Sequence, residues 1–227
     1  MSFKQFTKEL SGSRVEGELL KTVFYSLVTS FIVIGVLYLL ILKNVTNFIP
    51  KYGFYLFLAA VSYALILPAI RQVRAYKQFA CMAGMMIGMT AGMVAGFMSG
   101  YFIGATNGMF IGSVFGMIIG SLLGIWMGSC CGVMGMMEGI MAGFMGGLMG
   151  GMTAVMLLND HLKLATVIIS IFTAIISIGL NYMIFFEMKE NERQKEEDHR
   201  ITIAITFVLI ILTTWLMVFG PRSPLFG

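Results

Sequence analysis

Residues 84 to 100 read GMMIGMTAGMVAGFMSG, with a glycine at every fourth position and methionine filling much of the space between. The period continues without a gap from Gly84 through Gly88, Gly92, Gly96, Gly100, Gly104, Gly108, Gly112, Gly116, Gly120, Gly124, Gly128 and Gly132, then slips by one residue to Gly135, Gly139, Gly143, Gly147 and Gly151. In water each interior glycine costs a helix about 1 kcal/mol relative to alanine. In lipid the backbone must satisfy its own hydrogen bonds, so the helix survives and gains a surface that another backbone can approach closely. Four residues turn a helix by about 400°, so the stripe drifts roughly 40° per step and grows wide enough to serve two neighbours. The ladder therefore predicts tightly packed central helices of glycine-zipper type, with Gly84, Gly88, Gly92, Gly96, Gly112, Gly116, Gly120 and Gly124 as packing positions. Glycine faces left over would be free for another copy of the chain.

Composition agrees with a lipid setting. Hydrophobic residues make up 58% of the 227 and charged residues 11%, against about 25% charged in soluble domains. Apolar runs of about 20 residues, enough to cross a core roughly 30 Å thick, alternate with short charged breaks. Four are plain: 22–42, 53–70, 164–186 and 201–219. The stretch 79–158 is too long for one crossing and must fold back, with turn-like breaks at ATNG (105–108) and SCCGVMG (129–135). This adds helices over 79–104, 108–130 and 134–158. The expectation is an all-α integral membrane protein of about seven transmembrane helices in one domain, 22–219, between a polar segment 1–21 and a short tail 220–227.

Charge supports that count, because lysine and arginine in short loops collect on the cytoplasmic side. Seven helices with the N-terminus inside place eleven basic residues inside and four (Lys43, Lys51, Lys163, Arg222) outside. Six helices would give nine and six. The expected location is the cell membrane, N-terminus cytoplasmic and C-terminus outside. The net charge of +4 reflects these topology signals and implies no nucleic-acid partner. The polar start lacks the pattern of a cleaved secretory signal. An Asn-Val-Thr at 44–46 matches a glycosylation acceptor but abuts a membrane run.

Seventeen of the 21 methionines lie between 82 and 156. Met85, Met89 and Met93 form one ladder at helical spacing, and Met137, Met141, Met145 and Met149 a second. Thioethers and thiolates are soft donors suited to Cu(I), and they are also flexible fillers beside glycine. Cys81, Cys130 and Cys131 read as free thiols, and the topology puts all three near the cytoplasmic face with Glu138. Glu138 is the one acid of the glycine region and reads either as a carboxylate reaching the cytoplasmic interface or as an ion or proton site. The Met-x-x-x-Met beside Gly-x-x-x-Gly resembles a motif of the eukaryotic high-affinity copper transporters. The resemblance covers only these spacings, and the methionine-rich extracellular tails of those three-helix trimers are lacking here.

A pore along the glycines would need water-facing polar groups, yet residues 82–128 carry no charge. Thr166, Ser170, Thr173, Ser177 and Asn181 share one helix face, a seam that would join helices. The sequence holds no nucleophile, nucleotide or metalloprotease motif, and its two histidines, His161 and His199, fall in predicted loops, so no enzymatic activity is expected. The mixed-charge loop 187–200 reads as a solvated connection or a docking surface for a cytosolic partner. The functional expectation is a transporter or permease-like protein handling Cu(I) or another soft ion along a Met/Cys ladder. Its rival is a scaffold or assembly protein whose glycine faces bind other membrane helices. Both expect a lipid bilayer around the chain and a homo-oligomer or other helices beside it.

Overall fold

The computed structural model describes residues 17–40, 42–44, 48–76, 79–188 and 199–222. The polar start to residue 16, residues 45 and 46 of the Asn-Val-Thr acceptor, residues 189–198 of the charged loop and the last five residues lie outside them. All regular structure among the described residues is helical: α1 (Gly17–Leu40), α2 (Phe54–Ala75), α3 (Cys81–Asn107), α4 (Met109–Gly128), α5 (Gly132–Met156), α6 (Leu162–Glu187) and α7 (His199–Phe219). Six apolar stretches among them are long enough to cross a membrane. This differs from the expected seven, and the difference lies in Met109–Asn159, a single apolar stretch of 51 residues that contains both α4 and α5. Its one charged residue, Glu138, lies within α5 and not at the turn. The chain turns there by backbone geometry alone, through a 3₁₀ turn at Ser129–Cys131 and a positive φ of 72° at Gly132.

The other turn of the glycine region is equally short. Helix α3 ends at Asn107, Gly108 takes φ 111°, and α4 starts at Met109. A residue with a Cβ is strained at such angles. Helices α3, α4 and α5 are thus joined by minimal turns, with α4 antiparallel to its neighbours, and they pack against one another more extensively than any other elements. Helix α3 is also the bridge to the rest of the fold, touching α2, α6 and α7, while α1 packs on α2 and α7.

Helix α2 runs past the expected end at residue 70 to Ala75, carrying Arg71 and Arg74 within it. Nothing in 71–75 breaks a helix, and both cations are accommodated locally. Arg71 is buried and donates to Thr22 Oγ1 of α1 at 3.0 Å. The Arg74 guanidinium lies 5.2 Å from the ring centre of Trp126 on α4, a cation–π arrangement.

Candidate functional site

The central three helices meet glycine to glycine. A Cβ on Gly116 would lie 2.7 Å from Gly96 O and 2.8 Å from both Gly100 Cα and Gly147 Cα. One on Gly120 would lie 2.7 Å from Gly96 Cα and 2.9 Å from Gly143 Cα, and one on Gly92 2.9 Å from Gly139 O and 3.1 Å from Gly124 Cα. Real Cβ atoms essentially never come under 3.0 Å of a backbone atom. Each level of the axis is therefore filled by three backbones, and no channel runs along it.

The expectation that glycine faces stay free for a second copy is corrected by the same geometry. From Gly84 to Gly151 every glycine apart from the turn residues Gly108 and Gly132 has other atoms of its own chain within contact range of a Cβ. The cause is the drift of the stripe: turning about 40° per step, it presents glycine to both other members of the triad. Gly146 and Gly150, outside the period-four series, are consumed too, against the backbones of Met93 and Phe97.

With the inside occupied by backbone, the large side chains point out. Met137, Met141, Met145 and Met149 are each more than half exposed along α5, Met89 and Met93 are exposed on α3, and Met85 is half-buried. Helices α3 and α5 run parallel in this triad, and the backbone of Met93 lies against Gly146, the residue after Met145. The two methionine ladders thus flank the same seam between α3 and α5, on the outer surface of the bundle.

The cysteines depart from the free-thiol expectation. Cys81 and Cys131 form a disulfide, with Cα atoms 5.1 Å apart, well within the range such a bond spans. Cys130 remains a free thiol and donates to Met127 O at 3.3 Å. The pairing follows from packing: Gly84, one turn after Cys81, is where the chain after α4 crosses α3, and a Cβ there would meet Cys130 Sγ and Cys131 Cβ at 3.0 Å. A disulfide sulfur is no thiolate donor, which removes Cys81 and Cys131 from a soft-ligand set while the bond is intact. Glu138 is half-buried on α5. Among the described residues no group of three or more histidine, cysteine or acidic side chains converges as a metal site.

The polar seam of α6 is buried at Thr166, Thr173, Ser177 and Asn181, but most of it bonds within its own helix. Ser170 donates to Thr166 O, Thr173 to Ile169 O and Asn181 to Ser177 O. Such back-bonding to the preceding turn satisfies a hydroxyl without a partner helix. Thr166 alone reaches across, to Tyr101 OH of α3 at 3.0 Å.

Sequence reasoning missed one further feature. A cavity of about 760 Å³ opens where α4 begins and α5 ends, bordered by the segment after α7. Its walls come from residues far apart in the chain, and no motif announces it. No protein family, curated protein or solved structure matches the chain.

Proposed function

We propose that this protein handles Cu(I) or a similarly soft ion along its outer methionine seam, as a transporter or permease-like protein and without enzymatic activity. The observation that carries the reading is the placement of Met137, Met141, Met145 and Met149 one turn apart on α5, beside Met89 and Met93 of the parallel α3. Neutral thioethers hold Cu(I) softly, and a row of them lets an ion step between equivalent sites. Glu138 and the Cys130 thiol lie toward the end of the row near the α4–α5 turn, where an ion would enter or leave. Cys81 and Cys131 would join them only when reduced.

In this reading α4 and α5 each cross the bilayer, giving seven crossings, and the glycine zipper is a rigid spine that turns the methionine ladders of α3 and α5 outward. A single chain leaves the seam facing lipid, so a second copy laid against α3 and α5 completes the path. The N-terminus is cytoplasmic and the C-terminus outside, as the basic residues favour.

The test is Cu(I) or Ag(I) binding by the purified protein, compared with a variant in which Met137, Met141, Met145 and Met149 are all leucine. Stoichiometric binding that disappears in the variant supports the reading; unchanged binding, or none in the parent protein, overturns it.

A second reading is a non-transporting scaffold. It is favoured by α5, whose extensive helix contacts are with α3 and α4 alone, leaving a long face for other membrane helices. There, the leucine variant would lose copurifying partner helices and leave metal handling unchanged.

A further inference from the structure

The cavity at the α4 start combines features that neither reading uses. It extends from the mouth at Met109 and Arg222 along the seam between α4 and α5 to Met117 and Leu148. Eight residues of α4 separate Met109 from Met117, so the depth is about 12 Å. Its volume, about 760 Å³, falls within the roughly 300–1,000 Å³ of small-molecule sites. The inner walls, Val114, Met117 and Leu148, are apolar, as is Val155 nearer the mouth. This shape fits a hydrocarbon chain.

The mouth is different. Among the described residues Arg222 is the only charged one of the lining. Asn107 holds it there by donating from Nδ2 to Leu216 O at 2.7 Å and Pro221 O at 3.5 Å, which ties the segment after α7 across the end of α3. The guanidinium donates one N–H to Tyr52 OH and has further donors to spare. Lys51 lies over the same tyrosine ring, 5.9 Å from its centre. Among the described residues neither cation has a carboxylate partner. Ser113, also in the lining, is buried at 4% exposure, and its hydroxyl has no hydrogen-bond partner. Its oxygen faces Gly151 of α5 within the helix contact, so it belongs to the α4–α5 seam and takes no part in holding a head group.

We propose that this cavity binds an amphiphile with one hydrocarbon chain between α4 and α5 and an anionic head, carboxylate or phosphate, held by Arg222, with the Lys51 charge over the neighbouring Tyr52 ring adding to the positive field outside the lining. Guanidinium is the side chain best suited to such heads because it offers paired N–H donors in one plane. The source is either a free fatty acid or one chain of an anionic phospholipid, since the site reads the chemistry they share.

The test uses the full chain in detergent, with tritiated palmitate as the anionic probe and tritiated hexadecanol as its neutral counterpart of equal chain length. The parent protein is expected to bind palmitate saturably and about tenfold more tightly than hexadecanol. Arg222→Gln combined with Lys51→Gln should bring the two probes to within about twofold, and Val114→Trp or Leu148→Trp, which fill the space, should abolish binding of both with the melting temperature retained. Equal affinity for the two probes in the parent protein, or palmitate binding retained in both folded tryptophan variants, would overturn the proposal. Should the tryptophan variants fail to fold, mass spectrometry of lipid carried through purification decides. A fatty acid or an anionic phospholipid present with the parent protein and depleted in the Arg222→Gln, Lys51→Gln variant supports the proposal and identifies the source, whereas neutral lipid alone, or an anionic lipid retained equally by both, refutes it.

Discussion

Two halves of this molecule solve helix packing in opposite ways. In α3, α4 and α5 the inner surface is backbone and the side chains face out, whereas α1, α2, α6 and α7 meet one another and α3 through side chains such as Leu56, Tyr63, Phe102 and Ile210. In the first half the contact is dispersion between main chains held at close range, with no rotamers to order and no volume to spare. In the second, branched and aromatic side chains interdigitate in the ordinary manner. The outward faces differ as well. Helix α6 shows lipid mainly isoleucine, valine and phenylalanine, and α5 shows mainly methionine. If methionine were merely whatever side chain fits beside lipid, the two faces would be alike.

The contrast breaks most violently at the axis. Gly120→Leu or Gly116→Leu forces a large side chain into three backbones and should prevent the bundle from assembling, an effect above about 4 kcal/mol. Gly35→Leu and Gly179→Leu, where a Cβ meets nothing within 4 Å, should leave stability unchanged. Thermal melting followed by size-exclusion chromatography separates the two outcomes. Equal tolerance at the two kinds of site would mean that the axis is not closed as described.

A smaller loss follows from the staple that closes this half. Cys81→Ser opens a link spanning 50 residues and should cost about 2–4 kcal/mol. Thiol titration of the denatured protein, kept from reductant, should find one free thiol before reduction and three after. Three thiols at the outset would show the end holding Cys81 to be kept reduced, as in a cytosol.

On the methionine side stability should barely respond. The fourfold leucine variant alters exposed positions of matching volume, so its melting shift should correspond to less than about 1 kcal/mol, while soft-ion binding, if the seam is a path, is lost. A large destabilisation would instead mean that the methionines fill a packed interface. The smallest effect distinguishes two hydroxyls on one helix. Thr166→Val removes the bond to Tyr101 and should cost about 0.6 kcal/mol, the average for such bonds between membrane helices, whereas Ser170→Ala removes only a bond to its own helix and should be neutral within about 0.5 kcal/mol.

Much of the central half could be read in the sequence, for a geometrical reason. A period-four ladder that folds back at Gly108, itself a rung, brings glycine onto glycine: Gly104 meets Gly112 and Gly88 meets Gly128. The one-residue slip after Gly132 does the same for a turn that falls between Cys131 and Gly132, bringing Gly135 to Gly128 and Gly139 to Gly124. That register also carries Cys81 to Cys131, a consequence hidden until the hairpin is drawn, because cysteines 50 positions apart suggest nothing by spacing alone. The methionine ladders were visible as ladders, but the side they face depends on which surface the glycines use up. The cavity was not legible at all, since its mouth and walls depend on how the segment after α7 crosses the end of α3. Arg71 misled in the other direction: a cation inside an apolar run reads as a boundary, whereas here it is buried and donates to the Thr22 hydroxyl of another helix, which makes it an interior residue.

The backbone axis also fixes how this protein can drift over generations. A core of leucine and valine can exchange one shape for another, a gain here offset by a loss there, and so wander through many sequences with the same fold. A core of glycine already sits at the smallest residue there is, so every replacement at a rung adds atoms and no neighbour has a side chain to surrender in return. Innovation in this half of the molecule is therefore confined to its outer skin, where methionine can be exchanged without disturbing the spine beneath.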